Sequence, residues 1–362
     1  MGDLLLTVND YRRAARAALA PQAYDYFRSG ADAQTTLRAN LRAFARWSLY
    51  YRVLVDVSAP RLATTLLGEP LAMPILVAPT AYQKLAHPDG ELATARAAAA
   101  ANTVYVVSTL ATTSLEDIAR AAPAGPRWFQ LYVHRDRGLT RALVERAHAA
   151  GYRALVLTVD TPRLGRRLAD ERNHFALPPG LTMANLTADA AGASTAVDAG
   201  SALAHFFAAR HDASLGWRDV EWLRSIAPLP LVVKGVIRAD DAVRAVEAGA
   251  AAVIVSNHGG RQLDGAPATL TALPPIVEAL RGRAEVLVDG GVRWGTDVLK
   301  ALALGARAVL VGRPILWGLA VGGEAGVAAV LGILRDELER AMALAGCPDL
   351  DAIDASLVRP SE

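Results

Sequence analysis

The sequence predicts an α/β fold: a (β/α)8 TIM barrel with a helical N-terminal extension and a long excursion after the fourth strand. Three observations carry this. Eight short apolar or β-branched runs recur at roughly 25-residue intervals, and segments with helical periodicity lie between most of them. That alternation means parallel βαβ units, and eight of them match the closed barrel. The chain has 362 residues, a length that barrels of this kind reach as one unit.

Taken in order, residues 1–65 read as the helical extension, with helices expected at 11–20 and 32–47. The barrel is expected over 66–345, with strands at 74–78, 103–107, 128–132, 154–158, 229–234, 251–255, 285–288 and 308–311. The clearest intervening helices are 91–101, 138–150, 240–248 and 296–304. One interval breaks the beat, because 160–229 holds far more chain than a crossover needs. Its middle, 187–214, is rich in Ala, Gly, Ser, Thr and Asp. It reads either as a lid-like excursion over the barrel mouth, spanning about 175–225, or as a plain insertion. Residues 346–362 are expected to form a tail, and the whole chain, 1–362, a single domain.

Composition narrows the function classes. A hydrophobic content of 52% with 20% charged residues suits a well-packed α/β protein. A net charge of +2 gives no nucleic-acid signature, and Arg163, Arg166 and Arg167 are too local to make one. The single cysteine, Cys347, excludes an internal disulfide and a cysteine-based metal site; in a polar context near the C-terminus it reads as a bystander. No metal ligand set is expected. No run reaches the roughly 18 uninterrupted apolar residues of a membrane helix. The first ten residues lack a signal-peptide pattern, Leu6 stands where a myristoylation motif wants Ser or Thr, and the last three are not a peroxisomal address. The expectation is a cytoplasmic protein without nucleic-acid or membrane partners.

Active sites of this fold lie at the C-terminal ends of the strands. Polar residues gather there: Thr80, Ser108, Gln130 and Tyr132, Thr158 and Asp160, Lys234, His258 and Arg261, Asp289 and Arg313. The most informative stretch is Ser256-Asn257-His258-Gly259-Gly260-Arg261, at the end of the sixth strand. A histidine can take a proton and a neighbouring arginine can hold an anion, which suits chemistry on a carboxylate-bearing substrate. The two glycines allow close approach of backbone or ligand. After strands 7 and 8, Asp289-Gly290-Gly291-Val292-Arg293 and Gly312-Arg313 offer exposed N–H groups and two guanidinium groups, a phosphate site in this fold. Lys234 ends an apolar strand, where a cation needs a partner; it could be a Schiff-base nucleophile or a positive charge facing an anionic ring. With Ser108, Gln130 and Thr158 as neutral donors and acceptors nearby, the set points to a flavin mononucleotide.

On these motifs, with Thr158-Val159-Asp160-Thr161-Pro162 and Val233-Lys234-Gly235, the sequence closely resembles the FMN-dependent 2-hydroxy-acid oxidase and dehydrogenase family over nearly its whole length. The resemblance implies FMN as cofactor and oxidation of an (S)-2-hydroxy acid to the 2-oxo acid. It implies His258 as the base and Asp160 as the group that hydrogen-bonds it. Tyr132 would donate to the substrate oxygen, and Tyr26, Arg167 and Arg261 would hold the carboxylate. Pro79, Thr80, Ala81, Ser108, Gln130, Thr158, Lys234 and Ser256 would surround the flavin ring. Asp289 would bind the ribityl chain, and Gly291, Arg293, Gly312 and Arg313 the phosphate. A homotetramer is also implied.

One departure bears on the substrate. Resemblance to glycolate oxidase would place a tryptophan where this chain has Leu110, and Tyr82 and Leu164 are further candidate wall residues. The smaller side chain leaves room for a bulkier, mandelate-like or medium-chain acid. Ala81 is small, as in oxidases, and favours O2 as acceptor giving H2O2; a dehydrogenase with a quinone or protein acceptor is the alternative. An FMN-dependent isomerase and a silent flavin-binding protein are the remaining readings. The first would need a diphosphate site where Tyr26, Arg167 and Arg261 suit a carboxylate, and the second would not need His258, Asp160 and Arg261 together.

Overall fold

Eight parallel strands close into a barrel in a computed structural model that describes residues 4–186 and 209–361. In chain order they are β1 (Ile75–Val77), β2 (Tyr105–Ser108), β3 (Arg127–Leu131), β4 (Ala154–Thr158), β5 (Leu231–Val236), β6 (Ala252–Val255), β7 (Glu285–Asp289) and β8 (Ala308–Val311). Each pairs with the next, and β8 pairs with β1, Val311 lying opposite Val77. All eight fall where the sequence predicts them, within two residues at each end. Alternation along the strands divides the side chains. Leu76, Val106, Trp128, Val156, Val232, Ile254, Leu287 and Leu310 form the filled interior, while Ile75, Val107, Phe129, Leu155 and Val253 face the helices. A barrel filled this way is a packed core rather than a pore, so ligands are confined to its mouth.

Residues 64–71, at the start of the expected barrel range, form an antiparallel hairpin, Thr64–Leu66 with Glu69–Leu71. Its Leu66 and Leu71 join the interior cluster, so the hairpin closes that core.

The N-terminal extension corrects two expectations. It holds three helices, α1 (Val8–Ala18), α2 (Pro21–Arg28) and α3 (Thr35–Ala43), where the sequence predicts two. In α2, Pro21 occupies the first turn, where its missing N–H costs nothing, and Tyr24, Tyr26 and Phe27 are buried. Eight residues make too short a periodic signal to stand out. The extension is also not helical to residue 65: Trp47–Leu49 pairs antiparallel with Val358–Pro360. The expected tail is thus tied down by a strand, and Cys347 is fully buried rather than set in a polar context.

The helix Arg313–Ala345 is long and apolar enough to cross a membrane by length and composition. Leu316, Leu319, Val327, Leu331, Leu334 and Leu338 along it are buried in the core. Gly322 and Gly323 break its helical geometry midway. The lid-like character expected of the excursion falls mainly on residues 187–208, outside the described residues.

Candidate active site

The cleft at the C-terminal ends of the strands has an empty volume of about 1060 Å3 including its mouth, enough for a cofactor and a small substrate together. Tyr26, Pro79, Thr80, Ala81, Ser108, Leu110, Gln130, Tyr132, Thr158, Leu164, Arg167, Lys234, His258, Arg261, Asp289, Gly291, Arg293, Gly312 and Arg313 all line it. Asp160, Ser256 and Tyr82 do not. Each sits one layer behind: Asp160 on the His258 ring, Ser256 under Lys234, and Tyr82 against Tyr26 at 5.7 Å between ring centroids. For Tyr82 and Ser256 direct contact with a ligand is thereby replaced by support of a residue that makes it.

His258 is the centre of this arrangement. Its Nδ1 lies 2.8 Å from Asp160 Oδ1, which leaves Nε2 for the cleft, and its side chain remains 22% exposed there. The residue adopts φ +58°, a left-handed conformation uncommon outside glycine, and Gly259 and Gly260 continue the turn with positive φ. Two contacts hold that strain in place. The Ser256 hydroxyl accepts from the His258 N–H at 3.1 Å, and Asn257 makes a reciprocal amide pair with Asn40 of α3 at 2.8 and 2.9 Å. Burial pushes the His258 pKa below its ordinary value despite the Asp160 carboxylate beside it. Burial alone would raise the Asp160 carboxyl, but His258, Lys234 and Thr161 hold it below the usual range. The pair is therefore a neutral imidazole with an ionised partner, the charge state a general base requires.

Five cations line the cleft, and Asp289 is the only carboxylate among the described lining residues. Lys234 Nζ donates to Ser256 Oγ at 2.8 Å and pairs with Asp289 Oδ2 at 3.1 Å. Burial would lower its pKa, yet Asp289 and Asp160 raise it, so the ammonium stays charged in an apolar setting. A Schiff-base lysine would instead need a depressed pKa, so that reading falls away. Arg261 is held by the end of α2: its Nη1 donates to the carbonyls of Tyr26 and Ser29 at 2.7 and 3.0 Å, and its guanidinium stacks over the Tyr26 ring. Arg313 donates to the carbonyls of Phe27, Ser29 and Gly259. The last carbonyls of a helix have no partner within it, so the C-terminal end of α2 is where two arginines can be anchored. Burial pushes Arg261 and Arg293 down to about 10. An anion would relieve that cost.

The residues fit FMN and a carboxylate by their unmet hydrogen bonds. Buried Arg167 Nε and Nη1 and Asp289 Oδ1 have no hydrogen-bond partner, though Asp170 lies 3.8 Å from Arg167. Buried polar groups left unpaired are costly, so a ligand atom would satisfy each: a carboxylate oxygen would fit Arg167, and a polyol hydroxyl would fit Asp289. Ser108 Oγ donates to Gln130 Oε1 and Gln130 Nε2 to Thr158 Oγ1, a polar row across β2, β3 and β4 that suits one edge of a planar heterocycle. Gly291 has φ +93° and an added Cβ would meet the Asn40 carbonyl at 2.2 Å, so only glycine passes here. The long helix begins at Arg313 beside these glycines, and its first N–H groups favour a phosphate.

Several participants escaped the sequence reading. Phe27, Thr161, Gly259, Val292 and Leu316 also line the cleft. Phe175 stacks on Tyr26 at 4.3 Å, and Asp170 accompanies Arg167. Thr161, Gly259 and Val292 lay inside quoted motifs and could have been found there; Asn40 and Phe175 gave no signal, since their partners lie far away in sequence.

Comparison with known proteins gives the family. The FMN-dependent dehydrogenase family matches residues 15–360. The chain is 56% identical to an L-lactate oxidase of a Nostoc species over 352 residues, 96% of each chain. It is 51% identical to human 2-hydroxyacid oxidase 1, over 98% of this chain and 96% of that one. Among solved structures, a mandelate oxidase with (S)-4-hydroxymandelic acid superposes with a TM-score of 0.94 at 46% identity, over 99% of both chains. A family match over residues 15–360 and relatives above 50% identical over nearly the whole length make this chain a member of the FMN-dependent 2-hydroxyacid oxidase family.

Proposed function

We propose that the protein oxidises an (S)-2-hydroxy acid bulkier than glycolate to its 2-oxo acid, with FMN as cofactor and O2 as final acceptor, giving H2O2. Bound FMN supplies the acceptor for the two electrons and the hydrogen that leave the substrate carbon. The chain supplies the rest. Arg167 and Arg261 hold the carboxylate, with Tyr26 beside them. His258 Nε2 takes the hydroxyl proton, and Asp160 steadies the imidazolium that forms. Tyr132 donates to the substrate oxygen. Lys234 places a positive charge at the flavin ring, where negative charge gathers on reduction. Fixing the acid in one orientation between base and cofactor provides much of the rate. Assembly into a homotetramer belongs to the same proposal and rests on the family resemblance.

Leu110 is the observation that supports a bulkier acid. It is buried, it lines the cleft with Leu164, and no tryptophan is among the described lining residues. The relatives named above act, by their names, on different acids, so identity does not choose among them. Ala81 lines the cleft too, consistent with oxygen reaching the flavin. An anaerobic screen of glycolate, lactate, mandelate and medium-chain 2-hydroxy acids, followed by admission of oxygen, tests both parts. Bleaching fastest with mandelate or a medium-chain acid, and rapid recovery of the yellow colour in air, is expected. A clear preference for glycolate would overturn the substrate reading, and a flavin that stays reduced in air would point to a quinone or protein acceptor. In the same assay Leu110→Trp should cut kcat/KM for mandelate about 10- to 200-fold, the scale of discrimination in an apolar pocket, while glycolate turnover is retained.

A further inference from the structure

Behind Tyr132 lies a pair of buried histidines that the reaction described above does not use. The segment that resumes after residue 208 crosses the end of β3, with His211 in an isolated antiparallel bridge to His134. Arg135 N–H donates to the Arg210 carbonyl at 3.0 Å and Asp212 N–H to the Val133 carbonyl at 3.3 Å. Arg137 fixes this crossing by pairing with both Asp212 and Asp219 at 2.6 Å. His134 and His211 are 3% and 5% exposed, too buried for ordinary surface histidines.

The place of His211 is specific. Its ring meets the Tyr132 ring edge-on, at 5.5 Å between centroids and 86° between planes. Its ring lies close to the Thr161 backbone carbonyl, within reach of a hydrogen bond. The Thr161 hydroxyl donates to Asp160 Oδ1 at 3.0 Å and lies close to the Tyr132 hydroxyl. One short chain of contacts thus runs from His211 to Tyr132 and to the carboxylate that orients His258. We propose that neutral His211 is a positioning residue for Tyr132, and that acidification disengages it. This inference rests on the reading of Tyr132 as a substrate-facing donor.

Electrostatics give the direction. Burial holds both histidines below their ordinary pKa, His134 down to about 4, where the neighbouring His211 and Arg210 add to the effect and Asp136 opposes it. For His211, Asp212 and the Thr161 carbonyl act against burial. The Tyr132 side of the pocket carries Asp160, Arg167 and Tyr26. Both rings are therefore neutral at neutral pH. A proton on His211 would place on the ring a charge that burial disfavours and that Asp212 attracts, and the contact with Tyr132 would loosen as pH falls.

The experiment is a double-mutant cycle of His211→Phe and Tyr132→Phe in the FMN-loaded enzyme, with kcat/KM measured from pH 5 to 9. Phenylalanine keeps an aromatic edge but neither donates to Thr161 nor titrates. His211→Phe should lower kcat about tenfold at neutral pH with KM little changed, and should add less than twofold to Tyr132→Phe, since interacting residues are non-additive. In wild type the acid limb of log kcat/KM should fall with a slope above one, from His258 and His211 together; His211→Phe should return it to one. His211→Gln, which can still donate to the Thr161 carbonyl, should recover part of the lost rate yet keep the slope of one, and it carries the pH test if the phenylalanine variant does not fold. Equal losses in both backgrounds, or an unchanged acid limb, would overturn the proposal. A Tyr132→Phe enzyme of normal activity would instead remove the role of Tyr132 itself.

Discussion

His258→Ala should retain bound FMN and lose flavin reduction by roughly 10³- to 10⁴-fold, the upper end of what a positioned base contributes. The reason is geometric. Nδ1 is committed to Asp160 at 2.8 Å, Nε2 is the only ring nitrogen left for a substrate hydroxyl, and the left-handed backbone at 258 is held by contacts that alanine would keep through its own N–H. Stopped-flow reduction under anaerobic conditions, with the flavin spectrum as a control for cofactor content, makes the measurement. Near-normal reduction would remove His258 from the reaction. The pH dependence follows from the same burial. A base works when neutral, and His258 has its pKa pushed below 6.5, so kcat/KM should hold as pH falls through 6.5 and decline only below it. An acid limb centred above 6.5 would contradict that environment.

Arg261→Ala is expected to act mainly on binding, raising KM on the order of 10²-fold while kcat falls far less. Truncating one partner of a buried, hydrogen-bonded charge pair costs about 2–5 kcal/mol, and the substrate carboxylate is that partner here. The held geometry supports the assignment: α2 carbonyls and the Tyr26 ring fix the guanidinium before any ligand arrives, so little ordering is required on binding. Steady-state kinetics with a 2-hydroxy acid separate the two parameters, and the esterified substrate supplies a control. A collapse of kcat at unchanged KM, or equal use of the ester by wild type, would count against the role.

Much of this was legible in the chain because barrel strands are buried on both faces and read as continuous apolar runs. Their spacing alone placed Ser108, Gln130, Thr158, Lys234 and Asp289 at one mouth. What was not legible shares one cause, dependence on partners distant in sequence. The eight-residue helix α2 has no strong period of its own, yet its end anchors Arg261 and Arg313. Ser256 and Tyr82 belonged to the right neighbourhood, but only packing could put them one layer behind the ligand surface. The Asn40–Asn257 pair spans 217 positions.

The sequence by itself determined the barrel, the order of its strands and the residue types available for acid–base and anion chemistry, because hydrophobic periodicity and the position of polar residues at strand ends are local properties. Only the tertiary structure decided which nitrogen of His258 faces the cleft, which arginines are fixed in advance, and that Lys234 remains a charged partner of Asp289. It also brought His211 against Tyr132 from a segment about 80 positions later, a contact set by side-chain burial. Such outcomes depend on distances between groups that the chain order does not encode.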